Sequence, residues 1–519
     1  MRRAPSPVST PPEPDAMPMI LSLLALVMLV SIPGLYVLGQ GMAQFSMPWW
    51  THLADTVLPQ YLLDSMLVTG GATVFALVTG GLPAWMSFRY VFPGRAWCVF
   101  SQLLPLTIPA YVAAGLYIEA FTADFFVSRW ALAMELGAAA SPLVFMFLRL
   151  ALARLPAALF ETAASLGNGS FHRLWRVGLP LLAMPIIAAA CLVAAEALGE
   201  FGASSRLGIT TLSVGLHEQW HALQRPELAT MLALVLFLLA VLLATPVIRL
   251  GLGGQRAHHA GSLQTLQPLR ASPLGALGIH LACLLAVLPG FWGPLWLALG
   301  WAQERLDKTN LAPLFGDAGN TLATALACVA VCLALTLLFA YLLETGERVR
   351  RSDRSVWLVA VNYLTPSMVL ALAWLASGLS GRWVVVLAMA VKLLPLLLLP
   401  VADALARVPA AQVETARGLG HARLHTWYRV LLPQLVPVLA GGVLLVFVLA
   451  ATELTLSLAL QPFGYGALSL RIFAWAGINM TQLASVWVIC LCLLCLYPVW
   501  RLSRLIDHSN QPPGGATHA

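Results

Sequence analysis

The 519-residue sequence predicts an all-α, polytopic membrane protein of about twelve transmembrane helices in two six-helix halves. Three observations lead there. The composition is 60 % hydrophobic and 10 % charged, against roughly a quarter charged in an ordinary soluble domain, so most of the surface must face lipid. Apolar runs of about 20 residues, enough to cross a bilayer, recur along the whole chain. A 29-residue stretch also occurs twice at an offset of 253, which marks an internal duplication.

Residues 1–18 are Pro-rich and polar and read as a disordered cytoplasmic tail. Apolar runs follow at 19–39, 63–88, 97–121, 131–153, 183–203 and 227–249. No small-x-small cleavage site follows the first, which therefore reads as an uncleaved span. A Gly-rich polar stretch at 251–271 reads as a cytoplasmic linker. The second set falls at 274–299, 319–343, 355–378, 383–404, 434–460 and 483–503. The expected organisation is thus two units, 19–250 and 272–506, with a C-terminal tail at 507–519.

Charge orients the chain. With the N-terminus inside, 21 of the 29 Lys+Arg fall on cytoplasmic segments, 7 outside, and Lys392 within a span. That bias is the positive-inside pattern of a bacterial inner-membrane protein with both termini cytoplasmic. A net charge of +7 spread over short loops does not suit a nucleic-acid partner. The eight cysteines lie in or beside apolar runs, and Cys490, Cys492 and Cys495 have no His or carboxylate beside them, so they read as packing residues. Neither a metal site nor a cofactor is called for. His217 and His221 are one helical turn apart, but no third ligand accompanies them.

The repeat itself reads "LARLPAALFETAASLGNGSFHRLWRVGLP" at 152–180 and "LARVPAAQVETARGLGHARLHTWYRVLLP" at 405–433, with 16 of 29 positions identical. Pro156 and Pro409 can occupy a first helical turn, where a missing N–H costs little. Phe160, Ala163, Leu166 and Gly167, like Val413, Ala416, Leu419 and Gly420, then share one helical face. Gly167 and Gly420 end a helix of about ten residues. Each copy should lie as a short amphipathic helix on the cytoplasmic face. A helix that merely rests on lipid headgroups could drift in its spacing, whereas both copies keep Glu, Gly at +6 and Leu-Pro at +18 and +19. Two such loops suggest two identical partner surfaces.

The pattern Glu161-Thr-Ala163, Gly167, Val177, Leu179-Pro180, repeated as Glu414-Thr-Ala416, Gly420, Val430, Leu432-Pro433, resembles the EAA loop of type I ABC importer permeases. Thr stands for the middle Ala in both copies. The resemblance implies one permease unit per half, each loop acting as a coupling helix against an ABC ATPase dimer on the cytoplasmic face. It also implies a periplasmic substrate-binding protein as partner. The chain has no G-x(4)-G-K-[ST] loop, since Lys308 follows Asp307 and Lys392 follows Val391. Energy must therefore arrive from another subunit, and the chain itself is a permease rather than an enzyme.

Fused permeases of this length include the iron(III) group, which the stretches 196–220 and 451–475 resemble. The same role for thiamine, phosphonate, polyamine or another small solute is the alternative. A twelve-span secondary transporter would instead place coupling carboxylates at the midplane. Glu200 and Glu453 share the offset of 253 and lie toward the outer ends of their spans. Intramembrane carboxylates usually face a polar cavity, so this pair either lines the translocation path or ends its helices among headgroups. Glu119, Glu135 and Glu196 are candidates for interhelical hydrogen bonds. Lys392, too deep to snorkel, needs a partner that the sequence does not name. His172 and His425 recur within the loops and read as interface contacts.

Overall fold

The computed structural model describes residues 46–508, apart from 122–123, 154, 156, 168, 170–171, 173, 255–267, 307–309, 346–358 and 380, together with 36 and 39–43. The N-terminal tail, most of the 19–39 run, most of the linker, Pro156 and 509–519 lie outside the described residues.

Among the described residues, nine helices are long and apolar enough to cross a bilayer, or ten if one bent pair counts as a span. The first half supplies α1 (Leu58–Arg89), the bent pair of α2 (Arg95–Ser101) and α3 (Ala110–Ala120), α4 (Arg129–Leu152), α5 (Leu179–Gly199) and α6 (Pro226–Gly254). The second half supplies α7 (Pro273–Val287) running on into α8 (Gly293–Arg305), then α9 (Ala312–Thr345), the short α10 (Ala360–Leu364) and α11 (Ser367–Ala376), α12 (Arg382–Ala406), α13 (Leu432–Thr452) and α14 (Thr481–His508). Twelve spans are not shown among the described residues, because the 19–39 run lies mostly outside them and two further runs are broken. The runs at 97–121 and 355–378 do not form straight helices.

The cause is local and duplicated. Proline disfavours helical backbone in the residue before it. Ile108, before Pro109, is extended at φ −121° and ψ 101°, and Thr365, before Pro366, at φ −71° and ψ 126°. The first break bends its pair by 83°. A hydropathy window averages across such a proline, so the apolar run looks continuous while the backbone is not.

Helix bounds recur at the same offset as the loops. α4 and α12 start 253 residues apart, and α5 and α13 match at both ends at the same offset. These two central spans, α4 and α12, are the most enclosed. Small residues let neighbours approach closely: a Cβ on Gly137 would stand 2.6 Å from the Ala72 carbonyl, so α1 and α4 touch backbone to backbone. A two-residue parallel pairing of β1 (Tyr90–Val91) with β2 (Leu269–Arg270) ties the end of the linker to the first half. Arg149 joins the first half to the last helix. Its fully enclosed guanidinium donates to Ser87 Oγ at 2.7 Å and to Asp507 of α14 at 3.3 Å.

Candidate functional site

Two places bring the sequence-derived candidates together. At one end, the loop helices occupy Ala157–Ser165 and Ala410–Gly418, again 253 apart. Each ends on a left-handed glycine, Gly167 at φ +80° and Gly420 at φ +82°, with open space where a Cβ would stand. Glycine is there for its backbone, not for want of room. Glu161 and Glu414 are exposed, Ala163 is half-buried and Ala416 buried. Phe160 and Val413 turn inward as expected. Leu166 and Leu419 do not: each follows the last helical residue, leaves the apolar face and is 74 % and 73 % exposed. Trp175 and Tyr428, equivalent in the repeat, are 61 % and 57 % exposed. One wide π-type turn in each copy, Leu174–Gly178 and Trp427–Leu431, leads into the span. Leu179-Pro180 and Leu432-Pro433 then open α5 and α13, with the proline in the first turn.

The second place is a central cavity of about 160 Å³ lined by both halves. Glu200 and Glu453 both face it, and each is the residue that ends its helix. The runs expected to continue to 203 and 460 stop at Gly199 and Thr452 because these carboxylates cap the next short helices. Glu200 accepts from the Ala203 N–H at 2.8 Å and the Ser204 N–H at 3.1 Å. Glu453 accepts from the Leu456 N–H at 3.2 Å. Helix N-termini favour a carboxylate in this position. Facing the cavity and ending the helix are thus one geometry at both positions.

Lys392 also lines the cavity. Its Nζ donates to Ser367 Oγ at 2.5 Å and lies 4.0 Å from Glu196 Oε1. The partner that the sequence left open is therefore in the other half. The Tyr111 hydroxyl, on a buried ring lining the same cavity, has no hydrogen-bond partner among the described residues. Glu119 caps α14, accepting from the Gln482 N–H at 3.2 Å. Glu135 is buried in α4 with Oε2 unpartnered among the described residues. The rings of His217 and His221 lie 4.6 Å apart, tilted by 45°, and among the described residues no group of three or more His, Cys, Asp or Glu could hold a metal ion. All eight cysteines are free thiols.

Sequence reasoning missed one pair that its own offset could have found. Asp64 and Asp317, 253 apart, are buried near the start of α1 and α9. They pair with Arg129 at 2.8 Å and Arg471 at 3.0 Å.

The duplicated loops, the broken spans and the shared cavity meet an independent comparison. Residues 337–509 match the family model described as binding-protein-dependent transport system inner membrane component. The chain belongs to this family. It is the permease subunit of an ABC importer, a multi-pass inner-membrane protein that works with ATPase and binding-protein partners. Among curated relatives of the permease, the Fe(3+)-transport system permease protein FbpB 2 of Haemophilus influenzae is 23 % identical over 472 residues, 86 % of this chain and 90 % of that protein. The molybdenum transport system permease protein ModB of Escherichia coli is 31 % identical over 159 residues, 28 % of this chain and 69 % of that one. The sulfate transport system permease protein CysT of Escherichia coli is 27 % identical over 196 residues, covering 35 % and 70 %.

Proposed function

We propose that this permease carries iron(III), with its two units, 19–250 and 272–506, building the whole path in one chain. The observation that carries the reading is the cavity's donor set. Glu196, Glu200, Glu453, Tyr111 and Tyr363 supply oxygen atoms only, the ligand type that hard cations select. Three carboxylates against one ammonium give the cavity a formal excess of negative charge. The likeness to an Fe(3+)-transport permease along most of both chains supports the same reading. The cavity's excess of negative charge attracts a cation in transit.

Drive enters from the cytoplasmic side. The exposed Leu166 and Leu419, held out by their left-handed glycines, are the docking points for a dimer of ATPase subunits. Both termini then lie in the cytoplasm, in keeping with the positive-inside count.

A second reading, an oxyanion cargo gripped by Lys392 and Ser367, is favoured by the names of the molybdenum and sulfate relatives. Uptake by proteoliposomes holding permease, ATPase and binding protein separates the two. Radioactive iron(III) should accumulate on ATP addition, and Glu200→Gln with Glu453→Gln should cut the rate about tenfold or more. Molybdate or sulfate accumulation without iron uptake would refute the iron reading, as would an unaffected double variant.

A further inference from the structure

The cavity is two-fold in one layer and asymmetric in another. Glu200 and Glu453 are equivalent in the repeat, and both face it. The position equivalent to Lys392 is Ala139, and that equivalent to Glu196 is Leu449; all four line the same space. One Lys–Glu pair, joining the halves, therefore breaks the symmetry.

The ammonium is not held as a structural bolt would be. Its distance from Glu196, 4.0 Å, is well beyond the roughly 2.7–2.9 Å of a tight charge-assisted hydrogen bond. Its closer partner, Ser367, is the first residue of α11, and a helix N-terminus favours anions over cations. A buried charge without a full set of partners is costly, so the ammonium depends on the cavity's carboxylates. The Tyr111 hydroxyl, buried beside them and unpartnered among the described residues, is a further oxygen on the same cavity.

We propose that Lys392 is the resident counter-ion of the cavity, satisfying Glu196 when no cargo is present and giving way to a multivalent hard cation. This inference rests on the cation reading above. An incoming ion must outcompete a tethered +1 charge for the same carboxylate. A trivalent ion gains most from three carboxylates, a divalent ion less, and a monovalent ion has no advantage over the lysine. Lys392 thus sets a charge threshold for entry. It also offsets part of the cavity's carboxylate charge, which would otherwise recruit protons or adventitious cations.

The test uses the full-length permease with its ATPase in lipid nanodiscs and terbium(III) as the probe. Terbium luminescence sensitised by neighbouring tyrosines reports binding, calcium serves as the divalent competitor, and a Glu196→Gln, Glu200→Gln, Glu453→Gln form gives the background. Lys392→Met should tighten terbium binding by about tenfold and lower the terbium-over-calcium preference. Lys392→Arg, which keeps the charge, should retain the preference and guards against a Met variant that fails to fold. Equal affinity and equal preference in wild type and Lys392→Met would overturn the counter-ion role while leaving the cation cavity standing. Weaker terbium binding in Lys392→Met would overturn it too, because the lysine would then assist the cation. Terbium signals in every form no higher than the background would overturn the cation reading and this inference with it.

Discussion

Arg149 lies inside the protein with Ser87 and Asp507 as hydrogen-bond partners, and the energetics of such a group are lopsided. Removing the carboxylate strands a buried charge, whereas removing the whole pair need not cost anything. Asp507→Ala should therefore destabilise the protein by about 3 kcal/mol, and Arg149→Met with Asp507→Ala by clearly less; thermal unfolding in detergent measures both. A second residue reports on pH. His217 lies between the spans Trp175–Gly199 and Pro226–Arg249. Burial, and then the neighbouring His221, hold its imidazole down to about 4 from an ordinary 6.5. The unfolded chain then takes up the proton first, so this group's stabilisation is complete above pH 6.5 and is lost as pH falls toward 4. The melting temperature should decline through that window, and His217→Gln should flatten the decline.

Helices and loops carry the next scale. Gly167 and Gly420 have room for a side chain but hold positive φ, so substitution acts through backbone strain of about 1–2 kcal/mol. Gly167→Val with Gly420→Val should unwind the loop ends and release the ATPase on co-purification. Leu166→Asp with Leu419→Asp should do so without strain, by replacing the exposed apolar contact alone. Retention of the ATPase by both double variants would remove these loops from the docking surface. At this scale the sequence was readable wherever the two halves still agree. The loop helices, their glycine stops, the Leu-Pro starts of α5 and α13 and the paired glutamates all recur at one offset. It was unreadable where backbone geometry overrode hydropathy, as at Pro109 and Pro366, and where a contact joins distant elements. Lys392 meets Glu196 from the opposite half, and no local pattern announces that encounter. The outward turn of Leu166 and Leu419 was hidden for a smaller reason: a helical face was extended one residue past the helix.

For the molecule as a whole, the halves are joined by more than the linker. The Arg149–Asp507 contact, the β1–β2 pairing, the Glu119 cap on α14 and the Lys392–Glu196 pair all cross between them. A protease site placed within 255–267 and then cut should leave the halves associated and transport within about twofold of the uncut protein, since each added contact opposes separation. Dissociation of the fragments on size-exclusion chromatography would contradict this.

Fusion has one consequence that the single lysine makes visible. A permease assembled from two copies of one gene product must repeat every residue across its axis. A lysine at this depth would then face its own image, and the two ammonium groups would repel each other. Joining the copies lets each position drift alone, so position 392 can be lysine while 139 stays alanine. The covalent link thereby gives the pore a single lysine, which no homodimer can have.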